Sequence, residues 1–381
     1  MDDLSAKSAI NNKPFEFTGK GGEFFAIWIV NVALTILTLG IYSAWAKVRT
    51  HQYFYGNTLL DGVSFRYTAN PVQILKGRLI AFAVFMAYYV SSTMSPIIAG
   101  GALIILMLLV PAFLVMSMSF RLRNSEYRNV RFNFDKSFKT AYKVFAIPVI
   151  VVGAYIFLLG LLENGMAANP EGQAFFPIAI FVLVIAMALM FPWWEYMITH
   201  FKVVYAKYGS SGFTFSASTK NYYGLYLKMY GLMILIFGLI ALSVALLIPL
   251  MNSGGDSEGM KAIMSLFIIL LVFPAYLWVF AYLQAKRTNL LYNNLHLNDN
   301  KVKSELKTGY MFYLYITNTL AIMLSLGLLM PWAKVRTARY RASVTSVDVT
   351  GDLGQFTAMQ AEKQSALGEE MGEMFDMDLG F

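Results

Sequence analysis

Two segments of the chain place aromatic and cationic side chains at helical spacing. In each segment a tryptophan, an arginine and a tyrosine follow at four-residue intervals, with a lysine after the tryptophan. The two sets are Trp45, Lys47, Arg49 and Tyr53, and Trp332, Lys334, Arg336 and Tyr340. Because residues four apart share a helix face, each set predicts a stripe of rings and guanidinium groups. Such a stripe anchors a helix at the lipid headgroups; alternatively, the two form a twofold-related pair of sites for an anion or an anionic lipid headgroup.

Two asparagines precede the tryptophans by the same distance. Asn31 and Asn318 both lie in apolar segments, where an amide needs a hydrogen-bond partner. A bond to a neighbouring helix, worth about 1 kcal/mol, is one interpretation. Contact with a substrate is the other.

Three prolines recur at intervals of about eighty residues inside long apolar segments. Pro111, Pro192 and Pro274 each remove a helical hydrogen bond and leave a carbonyl free one turn earlier. Three kinks at one depth would splay the helices around a cavity. The aromatic residues that would line this cavity are Phe113, Trp193, Trp194 and Tyr276. Alternatively, the kinks shape helix packing, and neighbouring groups satisfy the free carbonyls.

Enzymatic and metal chemistry have little support in the sequence. The three histidines, His51, His200 and His296, have no metal-ligand spacing, and the chain has no cysteine. Residues 19–22 lack the spacing of a phosphate-binding loop. Acidic residues are almost absent inside the apolar segments, which disfavours an ion-driven pump. We therefore expect no enzyme activity, no cofactor and no metal.

The elements that position these residues are membrane segments. The chain of 381 residues is 57% hydrophobic and only 14% charged, too apolar for a soluble protein of this size. Eight apolar segments cover approximately 24–44, 77–95, 97–120, 142–162, 174–198, 224–250, 260–284 and 310–331. The net charge of +8 comes from basic residues at segment ends, which indicates membrane anchoring rather than nucleic-acid binding.

The basic residues predict the orientation of the protein and reveal a conflict. Of the thirty Lys and Arg residues, all but Lys261 fall on one side if six segments span and both termini are cytoplasmic. Eight spans would put the basic residues after 331 on the wrong side. We therefore favour six spans flanked by two re-entrant or interfacial helices, which turn at Gly40 and Gly327. Eight spans are the alternative.

Internal repeats give the predicted fold class. Segments one and eight are copies of each other, and the three prolines mark three helix hairpins. We predict an all-α polytopic membrane protein with three Pro-kinked hairpins, two duplicated flanking helices and a small cytoplasmic β-element. Alternating residues predict the six short strands of that sheet or ring: 15–17, 63–67, 130–134, 213–215, 295–297 and 347–349.

The predicted division of the chain into structural units follows these repeats. An N-terminus with a short strand covers 1–22, and the first flanking helix with its basic segment and strand covers 23–76. The three hairpins, each with a strand, cover 77–141, 142–223 and 224–309. The second copy covers 310–349, and an acidic tail covers 350–381. We expect this tail to be mobile; docking on the basic cytoplasmic face is the alternative.

The motif around the first stripe resembles a known family. Leu39-Gly40-Ile41-Tyr42-Ser43-Ala44-Trp45-Ala46-Lys47-Val48-Arg49, with Phe15-Glu16-Phe17-Thr18-Gly19 before it and Tyr53-Phe54-Tyr55-Gly56-Asn57-Thr58 after it, is similar to the YjgN family of bacterial inner-membrane proteins. The resemblance extends over residues 15–349. It implies a bacterial inner-membrane location and supplies no catalytic residue. The second copy departs from the motif, with Leu329 in place of the tyrosine and Pro331 before the tryptophan.

Repeats, kinks and the lack of catalytic groups favour movement of a small solute or lipid across the membrane. The alternative is a lipid-binding scaffold or a membrane assembly factor. Membrane lipids, through anionic headgroups on the cytoplasmic face, are the expected partners in either case.

Overall fold

The computed structural model describes residues 10–168, 175–253 and 258–378. These residues form ten strands and eleven helices. The strands are β1 (Ile10–Phe17), β2 (Thr58–Leu60), β3 (Val63–Tyr67), β4 (Ser125–Tyr127), β5 (Val130–Phe134), β6 (Ala206–Tyr208), β7 (Ser211–Phe215), β8 (Leu295–Leu297), β9 (Asn300–Ser304) and β10 (Thr345–Thr350). The helices are α1 (Gly21–Leu37), α2 (Ser43–Gly56), α3 (Pro71–Met94), α4 (Pro96–Arg123), α5 (Phe138–Ala168), α6 (Phe175–Val204), α7 (Thr219–Ser253), α8 (Glu258–Tyr292), α9 (Thr308–Leu324), α10 (Met330–Ser343) and α11 (Leu353–Asp378).

The element order is a fivefold repeat of strand, helix, helix, strand. The repeats are β1–α1–α2–β2, β3–α3–α4–β4, β5–α5–α6–β6, β7–α7–α8–β8 and β9–α9–α10–β10. The sequence predicts two separate repeats, one at the ends and one in the middle. The structure unites them, because the end repeats have the same order with shorter helices.

The strands form a closed antiparallel barrel. Each strand pairs with its neighbour along the chain, and β1 pairs with β10 to close the ring. At the closing seam, Ile10–Pro14 lies opposite Ser346–Thr350, whereas Phe15–Phe17 pairs with β2. Closure leaves no unpaired strand edge to be covered.

The barrel corrects the predicted all-α fold class. All six predicted strands are present, but β2, β4, β6 and β9 were missed. Three of these have only three residues, too few for a period of two to stand out, and β9 carries two lysines on its outer face. The helical part agrees with the prediction of a polytopic membrane protein, and the β-element is a ten-stranded barrel.

The ten helices α1–α10 form a ring next to the barrel. In the described part of the chain, each packs on its neighbours in sequence order, and α1 packs on α10. Six helices are long and apolar enough to cross a membrane: α3–α8. By contrast, α1 and α9 have 17 residues each, about 25 Å at 1.5 Å per residue, which is shorter than the roughly 30 Å hydrocarbon core.

Helices α1 and α9 end three residues before the two glycines at which a turn is predicted. Gly40 and Gly327 have φ values of +92° and +93°, which favour glycine. The Gly40 N–H donates to the Thr35 carbonyl at 2.7 Å, and the Gly327 N–H donates to the Ile322 carbonyl at 2.8 Å. These bonds close the helix ends and reverse the chain into α2 and α10.

The tail, predicted to be mobile, contains a helix that packs on the barrel through its first turns. Residues 353–378 form α11, and Leu353, Thr357 and Gln360 are buried against the barrel. The Gln360 side-chain oxygen accepts from the N–H and hydroxyl of Ser210, both at 2.9 Å. Ser210 lies in the β6–β7 turn, so α11 covers the barrel end that is farther from the helix ring.

Candidate functional site in the barrel lumen

The barrel encloses a cavity of about 740 Å³. Every second residue of a strand points inward, and the sequence places mostly aromatic and aliphatic side chains at those positions. The strand residues that line the cavity are Phe15, Thr58, Leu60, Phe65, Ser125, Tyr127, Phe132, Tyr208, Phe213, Leu295, Leu297, Asn300, Val302, Thr345 and Val347. The lumen is therefore predominantly apolar.

Aromatic rings line one part of the wall, on β1 and β3–β7. Phe65 stacks on Tyr127 with ring centroids 4.6 Å apart, and Phe132 lies 5.0 Å from Tyr208. The Tyr127 hydroxyl donates to the Leu60 carbonyl at 2.7 Å, and the Tyr208 hydroxyl donates to the Tyr127 carbonyl at 3.0 Å. Burial raises the pKa of both phenols, so they stay neutral donors and the wall carries no phenolate charge.

The two ends of the cavity differ in polarity. On the helix side it is lined by the last turns of α2, α8 and α10, including Phe54, Leu291 and Arg341. Arg341 is the only Lys or Arg among the lining residues. On the other side, Leu353 and Phe356 of α11 close the cavity, and the Phe356 ring lies 6.2 Å from that of Tyr208. An apolar chamber with one cation at its membrane-facing end can accept an anionic amphiphile.

Ion pairs at the outer wall fix the shape of the barrel. Asp61, in the β2–β3 turn, lies 2.7 Å from both Lys13 and Arg128, and these contacts, the hydrogen bond from Lys13 first, lower its pKa. Asp348 of β10 lies 2.6 Å from Lys303 of β9 and accepts from Asn12 of β1 at 2.7 Å. These carboxylates tie neighbouring strands together at the turns and at the seam.

The tyrosines of the two predicted stripes have a structural role. The Tyr53 hydroxyl accepts from the Lys20 N–H at 2.7 Å, and its ring stacks on Phe24. The Tyr340 hydroxyl accepts from the Lys307 N–H at 2.9 Å in the same way. Both phenols fasten the start of α1 or α9 to the return helix.

The rest of the two stripes is used differently in the two copies. Trp45 stacks on Tyr42 within its own repeat, whereas Trp332 packs on Phe25 across the α10–α1 junction. Lys47, Arg49 and Lys334 are exposed. The structure relates the two copies as adjacent members of a ring of five repeats, not by a twofold axis.

The two predicted asparagines also differ. Asn318 donates to the Thr337 hydroxyl at 3.2 Å and accepts from Arg336 at 3.3 Å, which is the predicted bond between helices. Asn31 is equally buried, but neither its amide nitrogen nor its oxygen has a partner. Equivalent positions thus have different surroundings.

The three prolines lie inside α4, α6 and α8, away from the barrel cavity. The Ala188 carbonyl, freed by Pro192, accepts from the Tyr230 hydroxyl of α7 at 2.8 Å. Trp194 donates to the Val144 carbonyl at 3.2 Å. Trp193 is half-buried, and Tyr276 is exposed on the helix surface. For Pro192 the packing interpretation holds, and none of these side chains lines the lumen.

Sequence reasoning missed the lumen residues, although part of the signal was present. The sequence predicts the strands around Phe65, Phe132 and Phe213, in which alternate side chains share one face. That this face lines a lumen follows only once the strands are known to form a closed barrel. It also missed an ion pair between helices, in which Glu195 of α6 lies 2.5 Å from Arg287 of α8.

Comparison with known proteins places the chain in a family of bacterial membrane proteins. The family model described as "Bacterial protein of unknown function (DUF898)" matches residues 12–374. The inner membrane protein YjgN of Salmonella typhimurium is 26% identical over 385 residues, covering 95% of both chains. The inner membrane protein YjgN of Escherichia coli K12 is 27% identical over 177 residues, 45% of this chain and 43% of its own. No solved structure matches the chain. The predicted resemblance and inner-membrane location are confirmed.

Proposed function

The chain belongs to the DUF898 family of bacterial proteins, and from that premise we propose that it binds a lipid-like anionic amphiphile in the barrel lumen and passes it between membrane and barrel. The observation that carries this proposal is the apolar chamber of about 740 Å³ at the base of a membrane-embedded helix ring. A volume of this size lies within the range of ligand pockets.

The polarity of the lumen favours an amphiphile over a hydrophilic solute. Aromatic and aliphatic walls stabilise an acyl chain by about 0.8 kcal/mol for each buried methylene. Arg341 supplies a cation where the lumen meets the helices, and its guanidinium group suits a carboxylate or phosphate. The apolar chain then lies among the rings of Phe65, Phe132 and Tyr208.

The proposed membrane arrangement brings lipid to this entrance. Helices α3–α8 span, and the shorter α1–α2 and α9–α10 pairs enter and return. Leu39 and Leu326, at the tips of the two short pairs, are 95% and 94% exposed, which supports insertion of both tips into hydrocarbon. The basic residues then lie with the barrel on the cytoplasmic side.

Passage also requires the far end of the lumen to open. There, α11 places Leu353 and Phe356 across the barrel, held by the bonds of Gln360. In this arrangement the amphiphile enters from the helix side, and displacement of α11 releases it. Each step needs only binding and opening, so the proposal invokes no catalytic group.

A bulky residue in the lumen tests the proposal. Val302 points into the cavity and its neighbour Lys301 points outward. We expect Val302→Trp to reduce the lipid co-purified with the protein, measured by native mass spectrometry, and the uptake of a fluorescent fatty acid. The matched control Lys301→Trp places the same ring outside and should retain both. Equal retention by the two variants would refute a ligand in the lumen and favour the scaffold role.

A further inference from the structure

The hairpin of α1 and α2 contains a second cavity outside the barrel. It measures about 350 Å³, and the residues lining it that matter here are Trp28, Asn31, Thr35, Ser43, Lys47 and His51. Asn31 is only 4% exposed and both polar atoms of its amide lack a hydrogen-bond partner. A buried amide without partners is costly, so its presence indicates that something else satisfies it.

The duplicated repeat shows what satisfies the same amide elsewhere. In α9–α10, the Arg336 side chain turns back to donate to the Thr317 hydroxyl at 2.8 Å and to Asn318 at 3.3 Å. Arg336 therefore supplies the donor to the amide oxygen, while the amide nitrogen of Asn318 donates to the Thr337 hydroxyl at 3.2 Å.

In the first repeat this internal partner is missing. Val30 stands where the other copy has Thr317, so the arginine has no hydroxyl to bind, and Arg49 is exposed. His51 replaces Ala338 and adds a polar group to the wall. The same backbone unit thus has a filled site in one copy and an open cleft in the other.

The charges around the cleft define the ligand. Lys47 lines it, and Arg78 of α3 donates to the hydroxyl of Ser43 at its edge. No Asp or Glu is among the lining residues. Trp28 and Ile36 supply an apolar wall towards the tip of the hairpin.

We propose that this cleft binds a phosphate ester that also carries a hydroxyl or amine. The Asn31 N–H donates to a phosphate oxygen, its carbonyl accepts from the hydroxyl or amine, and Lys47 and Arg78 balance the charge. The headgroup of an anionic phospholipid and a soluble sugar or glycerol phosphate share this chemistry. The site lies apart from the barrel lumen and does not depend on a ligand there.

The test compares matched variants in the two repeats. Delipidated protein in nanodiscs is titrated with phosphatidylglycerol and separately with glycerol phosphate; phosphatidylcholine, which is zwitterionic with no net charge, is the reference. We expect Asn31→Leu and Lys47→Gln to weaken binding by about tenfold or more, the size of a lost charge-assisted hydrogen bond. Lys334→Gln, the equivalent lysine of the other copy, should leave it within about twofold.

Thermal unfolding without ligand separates binding from structure. Leucine fills the position of an amide that has no partner, so Asn31→Leu should leave Tm unchanged or raise it. Binding by lipid alone identifies a headgroup, and competition by glycerol phosphate identifies a soluble ester; either supports the site. Wild-type affinity in both variants, or a lower Tm for Asn31→Leu with unchanged binding, would overturn it. Val302→Trp should leave the binding of glycerol phosphate unchanged, because this ester has no acyl chain for the apolar lumen; this titration therefore tests the site separately from the lumen.

Discussion

Removal of the Asp348 carboxylate tests the closure of the barrel most directly. This one side chain joins β10 to both neighbours, with Lys303 at 2.6 Å and Asn12 at 2.7 Å. Hydrogen bonds to buried charged groups contribute about 1.5–3 kcal/mol to stability. Lys303 is half exposed, so water screens its ion pair with Asp348 and reduces the contribution of that contact. We expect Asp348→Ala to weaken the seam by about 2 kcal/mol, roughly thirtyfold in its opening equilibrium.

Hydrogen exchange measures that opening strand by strand. Backbone amides of β1 and β10 should exchange faster in Asp348→Ala, while those of β5 and β6 should keep their protection. The control is Asp135→Ala, because Asp135 and Lys207 form an exposed pair at 2.8 Å, which should contribute less than about 1 kcal/mol. Unchanged protection of β1 and β10, or an equal loss in every strand, would refute the role of this carboxylate.

The same contact predicts a pH dependence. The hydrogen bond from Lys303, followed by that from Asn12, lowers the pKa of Asp348 in the folded protein. Because the pKa of Asp348 is lower in the folded than in the unfolded state, its ionised carboxylate stabilises the fold at every pH above the unfolded pKa of about 3.9. This stabilisation is lost as the pH falls through the lower pKa of the folded state. The difference between wild type and Asp348→Ala should therefore be constant from about pH 7 to 5 and shrink below about pH 4. A difference that already shrinks between pH 7 and 5 would contradict this assignment.

Two further predictions concern the helix ring and α11. Tyr230→Phe removes the donor to the Ala188 carbonyl and should destabilise the protein by about 1 kcal/mol, measured as a lower Tm. The control Tyr276→Phe, on the exposed helix surface, should not change the Tm. Equal Tm values for the two variants would show that the bond contributes nothing. Because the chain has no cysteine, Val302→Cys reports access to the lumen: removal of α11 should speed its labelling by a water-soluble maleimide several-fold. Lys301→Cys on the outer wall should react equally fast with and without α11, and unchanged labelling of the lumen cysteine would mean that α11 does not close the barrel.

The membrane part of the fold was predictable because its signals are local. Each signal lies within one helix or turn and can be recognised without knowing distant contacts. The signals are the six apolar runs, the basic residues at their ends and the glycines at 40 and 327. The duplicated ends were detectable because Trp332–Thr337 repeats Trp45–Thr50 residue by residue. The relation of these ends to the middle hairpins was hidden, since the middle helices are nearly twice as long and lack the basic aromatic motif.

The barrel and its lumen depend on contacts between distant residues. A three-residue strand such as Ser125–Tyr127 is defined by its pairing with β3 and β5, because its own pattern is too short to indicate a strand. The difference between Asn31 and Asn318 is of the same kind. Both lie in apolar segments of the sequence, and only the folded structure shows that Asn318 bonds to Thr337 and Arg336 while Asn31 has no partner.

The pairing of the first strand with the last sets the order in which the protein can be completed. Ile10 meets Thr350, so β1 leaves the ribosome long before its partner exists. The helix pairs can enter the bilayer one after another, each adding a short β-hairpin, while one flank of the growing sheet stays open to solvent. A chain arrested before β10 would hold its full set of membrane segments and still expose β1 as a template for association with a second molecule.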